Sequence, residues 1–193
     1  MECVLSAEPV TVMSASSALG HIAAAVRGGE VAGIVFGHRS SGSAAQSLAR
    51  RVGGSQGGQR RSASSAGDQD LAEEVLRRLQ QFAEGEPISL DDIRVSLGHL
   101  STFQRRVIRA CRAIPRGTQR TYGEVAADVG SPGAARAVGQ VMRCNRTPLV
   151  VPCHRVVAAG GRLGGFSAPQ GLAMKRRLLE LECDGDLFSS RAR

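Results

Sequence analysis

Hydrophobic positions in the first hundred residues follow two different periods. Short apolar runs at 10–13, 22–26 and 31–36, with a Gly-Gly-Glu turn before the third, predict the strands of a small antiparallel sheet. A helical pattern follows at about 44–52, and the apolar spacing from Leu71 to Phe82 predicts an amphipathic helix that ends near Gly85. A further strand is expected at 93–97.

The second half of the chain has helical spacing. A helix capped by Ser101 or Thr102 is expected to continue to about residue 114, where a Pro-Arg-Gly sequence stops it. A capping box of Thr121 and Glu124 begins a second helix, and Ser131 is expected to cap a third that ends at about residue 144. Two short helices joined by a Gly-Ser-Pro turn predict a helix-turn-helix.

These patterns together predict an α+β fold with two domains. A small N-terminal domain of sheet and helix would occupy 1–100, and a mainly helical domain with the helix-turn-helix would occupy 101–183, followed by a tail at 184–193. Nine of the fifteen residues at 53–67 are Gly or Ser, which predicts a mobile loop inside the first domain.

Length and composition limit the class of protein. A chain of 193 residues with 42% hydrophobic residues can bury a substantial core. We expect no membrane association and a cytoplasmic location, because the sequence shows neither a long apolar segment nor a secretory leader. Its five scattered cysteines form no CxxC pair, so they are expected to be thiols, without a disulfide framework or a metal site.

The net charge of +8 is concentrated in the second half. Residues 1–100 contain nine arginines and eleven acidic residues, whereas 101–193 contain sixteen basic and six acidic residues. Within 101–179 only Glu124 and Asp128 oppose fourteen basic side chains. Such asymmetry is typical of a surface that binds a polyanion, and nucleic acid is the leading candidate.

Cys153 is the candidate for chemistry. An apolar run that ends in Pro152 precedes it, and His154 and Arg155 follow, which are the groups that can stabilise a thiolate. On the residues alone, a small buried hydrophobe remains an alternative interpretation of Cys153. A Cys-His hydrolase is disfavoured because no oxyanion hole is evident, and the absence of a Walker motif disfavours nucleotide chemistry.

The PCHRV sequence at 152–156 resembles the acceptor-cysteine signature of the O6-alkylguanine-DNA alkyltransferases, also called methylated-DNA–protein-cysteine methyltransferases. The resemblance is strong over 101–182 and holds in outline over 10–97, where it implies a domain of the ribonuclease H-like type. The other blocks that match in order and spacing are TYGEVA at 121–126, AARAVG at 134–139, Asn145, GFS at 165–167, Gly171-Leu172, Lys175 and LLELE at 178–182.

The resemblance implies the roles of five residues in alkyl transfer. Cys153 would take the alkyl group from guanine O6 irreversibly and only once, without a cofactor. His154 would act as its base through a water, and Glu182 would orient the imidazole. Tyr122 would donate its hydroxyl to the departing guanine, and Asn145 would connect the helix-turn-helix to the cysteine segment.

The same resemblance implies a monomer that binds double-stranded DNA containing O6-alkylguanine. Arg136 would fill the gap left by the flipped nucleotide. The other expected DNA contacts are Tyr122, Ala134, Ala135, Arg143 and Arg155. The expected pocket residues are Pro148, Val156, Phe166 and Ser167.

The alternative interpretation is a DNA-binding or lesion-sensing protein that uses the helix-turn-helix without catalysis. Two features also depart from the family pattern. Arg146 stands where many relatives have proline, and the segment at 167–171 is longer than the common form.

Overall fold

The computed structural model describes residues 9–52 and 65–183 and has a mixed α and β fold. Its N-terminal part contains the predicted antiparallel sheet, whose three strands lie side by side in sequence order, so that prediction is confirmed. Each strand is longer than its apolar run because flanking polar residues continue the pairing. The strands are β1 (Thr11–Ala15), β2 (His21–Arg27) and β3 (Glu30–His38).

Two helices cover opposite faces of this sheet. Helix α1 (Ser41–Val52) packs Leu48 against Ala23 and Ala25, and helix α2 (Ala66–Ala83) packs on the face that carries Ile22 and Val26. Successive strand residues point to opposite faces, which explains why β2 is apolar from Ile22 to Val26. Gly33 of β3 allows the close approach of α1, because a Cβ there would lie 2.6 Å from a Val52 methyl carbon.

The start of α2 corrects the predicted loop at 53–67. Ser65 caps the helix by accepting a hydrogen bond from the Asp68 amide, so Ala66 and Gly67 are helical. The Asp68 carboxylate also accepts the amides of Gly28 and Gly29 at the β2-β3 turn. The remainder of the predicted loop, at 53–64, and the tail at 184–193 lie outside the described residues.

The strand predicted at 93–97 is wrong, because this segment forms only one parallel bridge, between Val31 and Val95. Beyond that bridge the Ile34 amide donates to the Arg146 carbonyl, at 2.7 Å. The edge of β3 is therefore occupied by a later part of the chain, and no longer ladder can form.

The second half contains helices α3 (Thr102–Arg112), α4 (Tyr122–Asp128) and α5 (Ala135–Arg143), and their order confirms the predicted helix-turn-helix. The capping box of Thr121 and Glu124 forms as predicted, with its two hydrogen bonds at 2.6 and 3.1 Å. Ser131 does not cap α5. Gly133 has a φ of 91°, which interrupts the helical path, so α5 begins at Ala135 without a side-chain cap.

The remaining elements are the parallel strands β4 (Arg120–Thr121) and β5 (Val156–Val157) and helix α6 (Gly171–Glu182). Met174 and Leu178 of α6, with Leu149 and Val150, join the hydrophobic cluster of the N-terminal sheet. Residues after 100 thus complete the core of the first half, and the division into domains at that point stays a prediction. No helix within the described ranges is long and apolar enough to cross a membrane.

Candidate functional site

The side chain of Asn145 shapes the segment that leads to Cys153. Its Nδ2 donates to the Val151 carbonyl at 2.9 Å, and its Oδ1 accepts the Thr147 amide at 3.0 Å. Asn145 is buried, and these bonds fix a turn in which Leu149 has a φ of 74°. The asparagine therefore links the end of α5 to the residues just before Cys153. This geometry is compatible with the expected role of Asn145 as the connection between the helix-turn-helix and the cysteine segment.

Cys153 begins a single 3-10 turn (Cys153–Arg155) and is only 6% exposed. Burial raises the pKa of its thiol, although a hydrogen bond with Asn145 and the charges of Lys175 and Arg51 act in the opposite direction. The thiol is therefore protonated at neutral pH. A nearby base must remove its proton before the sulfur can act as a nucleophile.

His154 is suited to be that base. Burial lowers the pKa of the imidazole, despite its hydrogen bond to Glu182, so the ring is neutral. Its Nε2 lies 2.8 Å from Glu182 Oε1, and Nδ1 has no hydrogen-bond partner among the described residues. Because an ionised carboxylate can only accept, the ring proton belongs on Nε2, which leaves the Nδ1 lone pair available to take a proton.

Glu182 is held ionised inside the protein. Burial would raise its pKa, but hydrogen bonds and charges from His154 and Arg155 outweigh burial and lower the pKa to about 2. The carboxylate lies at the last turn of α6, and its side chain has no exposed surface. The prediction that Glu182 meets His154 agrees with this geometry.

Arg155 does not face the helix-turn-helix surface. Its Nε and Nη2 donate to the two oxygens of Glu182 at 2.9 and 2.8 Å, and Nη1 donates to the Ile114 carbonyl. Only 12% of its side chain is exposed. The structure therefore contradicts the predicted contact between Arg155 and DNA, because the guanidinium is engaged in the protein interior.

Tyr122 stands at the first position of α4, directly after its Thr121 cap. The ring packs so closely on Gly164 that a Cβ there would lie 2.5 Å from the hydroxyl oxygen. Burial raises the pKa of the phenol, and negative charge on Cys153 would raise it further. The hydroxyl is thus a proton donor at neutral pH.

A cleft of about 720 Å³ joins these elements. It brings Cys153 and Tyr122 together with the predicted residues Arg136 and Phe166. Ala134 lies at the N-cap of α5, just outside the lining. The lining residues are Tyr122, Ala135, Arg136, Gly139, Met142, Arg143, Cys153, Gly165, Phe166 and Ser167.

Two predicted pocket residues lie elsewhere. Pro148 lines a smaller neighbouring cavity that Cys153 also lines, and it is not among the residues that line the main cleft. Val156 is fully buried in β5, and its carbonyl accepts a hydrogen bond from Lys175. The strand register directs Val156 into the core of the helical half and away from the cleft.

Lys175, for which the sequence indicates no role, is fully buried. Its Nζ lies 2.6 Å from the Val156 carbonyl oxygen and 6.0 Å from the centre of the Tyr122 ring. Burial lowers its pKa. The signal that could have found it is its place on the apolar face of α6, between Met174 and Leu178, where a lysine is unusual.

The parts of the chain that the structure describes contain no group of three or more His, Cys, Asp or Glu side chains arranged to hold a metal ion.

Comparison with known proteins matches this architecture to one family. Residues 102–184 match the model of the 6-O-methylguanine DNA methyltransferase, DNA binding domain. The chain is similar to the methylated-DNA–protein-cysteine methyltransferase of Mycolicibacterium paratuberculosis, with 54% identity over 108 residues, which are 56% of this chain and 63% of that protein. It is 45% identical to the protein of that name from Methanopyrus kandleri over 108 residues, which are 56% of this chain and 78% of the relative.

Solved structures extend the similarity into the N-terminal half. The Mycobacterium tuberculosis OGT protein in complex with DNA superposes with a TM-score of 0.66 and 30% identity, over 89% of this chain and 91% of that one. An O6-methylguanine-DNA methyltransferase from Pyrococcus kodakaraensis gives a TM-score of 0.64 and 27% identity, over 90% and 99%.

The ion pair between Arg155 and the buried Glu182 should contribute to the stability of the protein. Replacing Arg155 by Ala leaves the Glu182 carboxylate with less compensation in the interior, and we expect a loss of about 3 kcal/mol in the free energy of unfolding. Replacing the exposed Arg162 by Ala should change it by less than about 0.5 kcal/mol. Urea unfolding measures both. An Arg155→Ala protein of unchanged stability that binds DNA more weakly would show that Arg155 contacts DNA instead.

Proposed function

This chain belongs to the family of methylated-DNA–protein-cysteine methyltransferases, and we propose that it repairs DNA by moving the alkyl group of O6-alkylguanine to its own Cys153. One observation carries the proposal. Cys153 lines the same cleft as residues of the helix-turn-helix, and His154, the next residue in the chain, is hydrogen-bonded to Glu182. A thiol, a base with a free lone pair and a basic DNA-binding motif are thereby combined in one site.

The proposed reaction is a single displacement at the alkyl carbon. His154 Nδ1 accepts the thiol proton through a bridging water, and Glu182 stabilises the imidazolium that forms. The sulfur then forms a bond to carbon as the bond from carbon to O6 breaks, and the electron pair of that bond passes to the guanine. Tyr122 donates a proton to the leaving base, and the proton lost by the thiol restores the phenol.

The product explains why the protein acts once. A thioether is chemically stable, and none of the described residues that line the cleft offers a route to remove the alkyl group from sulfur. The protein is therefore consumed in the reaction, and no cofactor takes part in it.

The helix-turn-helix supplies the contact with DNA. Arg136 is exposed on α5 at the mouth of the cleft, where its side chain can enter the duplex and occupy the space of the extruded nucleotide. Arg143 lies at the other end of the same helix, and the small residues Ala134 and Ala135 let the backbone approach a groove. Phe166 and Ser167 offer an apolar and a polar contact to the flipped base.

The proposed partner is double-stranded DNA that contains O6-alkylguanine, bound by one copy of the protein in the cytoplasm. Fourteen basic residues against two acidic ones over 101–179 favour phosphate contacts. A lesion sensor without catalysis would need the same surface but would not need Cys153 beside a base. Methylation of Cys153 by damaged DNA separates these two functions.

Mixing the protein with a duplex that contains one O6-methylguanine should add a single methyl group to Cys153, and to no other cysteine. Intact and peptide mass spectra measure this, and the yield should not exceed one methyl group per protein. The Cys153→Ser variant should gain none, whereas Cys144→Ser, which alters an exposed thiol, should react as the wild type does. An unmethylated wild type that binds the duplex would instead support the lesion sensor, and a yield above one would exclude single turnover.

Replacing Arg136 by Ala should slow repair of the duplex far more than reaction with free O6-benzylguanine, because a free base needs no extrusion. We expect a decrease of at least about tenfold for the duplex, the equivalent of one base-stacking contact. Arg143→Ala is the matched control on the same helix, and should mainly weaken DNA binding and reduce its salt dependence. Equal losses on both substrates in Arg136→Ala would contradict the proposed role.

A further inference from the structure

The N-terminal half of the chain holds the segment that forms one wall of the cleft. The ring of Phe36 in β3 lies 6.3 Å from that of Phe166, measured between centroids. The Gln170 side chain donates to the Gly37 carbonyl at 3.5 Å. Arg51, in the last turn of α1, donates from Nη2 to the Ser167 carbonyl at 3.4 Å. Ser167 is therefore connected to a helix more than a hundred residues earlier.

Arg51 also lies next to the reactive cysteine. A small cavity beside the main cleft is lined by Arg51 and His38 from the first half of the chain and by Cys153 and Asn145 from the second half, among other residues. None of the residues that line this cavity is acidic, so no carboxylate neutralises the guanidinium there. Arg50, the preceding residue, is exposed and does not line the cavity.

We propose that Arg51 is a positioning residue for alkyl transfer, which fixes the Ser167 wall of the cleft and places a positive charge beside Cys153. A cation near the sulfur favours the thiolate over the thiol. The fork of the guanidinium allows both tasks, because one amino group holds the Ser167 carbonyl while the charge stays spread over the group. The role of Arg51 in alkyl transfer rests on the proposed function, but the effect of Arg51 on the Cys153 thiol does not.

The other ionisable groups around Cys153 set the background for this effect. Lys175 of α6 acts in the same direction as Arg51 and lowers the pKa of the thiol. Cys111 of α3 and Tyr122 of α4 are protonated at neutral pH, because burial raises the pKa of each. His154 is neutral, and burial together with Arg51 and Arg50 lowers the pKa of His38. Among the residues that the structure describes, Lys175 and Arg51 are thus the two groups that supply positive charge to the thiol, and of these two Arg51 comes from the first half of the chain.

The experiment compares Arg51→Gln, Arg51→Lys and Arg50→Gln with the wild type. The two glutamine variants remove one positive charge from adjacent positions of the same helix, so they differ only in contact with the site. The first measurement is the rate at which iodoacetamide modifies Cys153. Peptide mass spectra report this rate at each pH. The second is the rate of reaction with free O6-benzylguanine, and thermal unfolding verifies that each variant is folded.

We expect Arg51→Gln to raise the pH midpoint of Cys153 modification by about 0.5 to 1 unit, which lowers the neutral-pH rate by about three- to tenfold. Arg51→Lys should restore the midpoint, because the charge remains, but should restore the O6-benzylguanine rate only in part, because an ammonium group lacks the planar fork. Arg50→Gln should match the wild type in both assays.

Identical behaviour of Arg51→Gln and Arg50→Gln would overturn the proposal, and so would a midpoint that Arg51→Lys fails to restore. A wild type that reacts with iodoacetamide but takes no methyl group from a duplex containing O6-methylguanine would overturn the proposed function, while the midpoints would still decide the effect of Arg51 on the thiol.

Discussion

The carboxylate of Glu182 connects three parts of the chain that are far apart in sequence. It closes the last turn of α6, binds His154 and Arg155 in the cysteine turn, and accepts the Gly117 amide at 3.4 Å from the loop after α3. A buried carboxylate is costly unless its oxygens are paired, so the ion pair with Arg155 permits the charge to exist where His154 needs it. The contact that holds the fold together is therefore also the one that prepares the base.

This arrangement gives the resting site a defined set of proton positions. The thiol of Cys153 and the phenol of Tyr122 keep their protons because burial raises the pKa of both groups, and His154 is neutral because burial lowers its pKa. Only Glu182 carries a buried negative charge in this group. Activation of the sulfur then requires one proton to move toward the carboxylate, which is the direction that the charge of Glu182 favours.

Local rules predicted the elements that depend on neighbouring residues, as the capping box of Thr121 and the spacing of α4 illustrate. They failed where a distant segment decides the outcome. The backbone of Arg146 occupies part of the edge of β3, so 93–97 could not form a strand. Arg155 points inward because its partner is the buried Glu182, which is 27 residues away in sequence and could not be identified from local pattern. The position of Arg51 at the site could not be predicted from the sequence pattern, because its partner Ser167 is 116 residues away.

The rate of alkyl transfer in a Glu182→Gln protein, followed against pH with O6-benzylguanine as substrate, tests the central claim most directly. Glutamine keeps the size of the side chain but removes the charge that stabilises protonated His154, so the neutral-pH rate should fall by about tenfold or more. The loss should shrink as the pH rises toward the ordinary range of thiol ionisation, because the sulfur then loses its proton without help. A folded Glu182→Gln protein, verified by circular dichroism, whose pH profile matches that of the wild type would contradict the account.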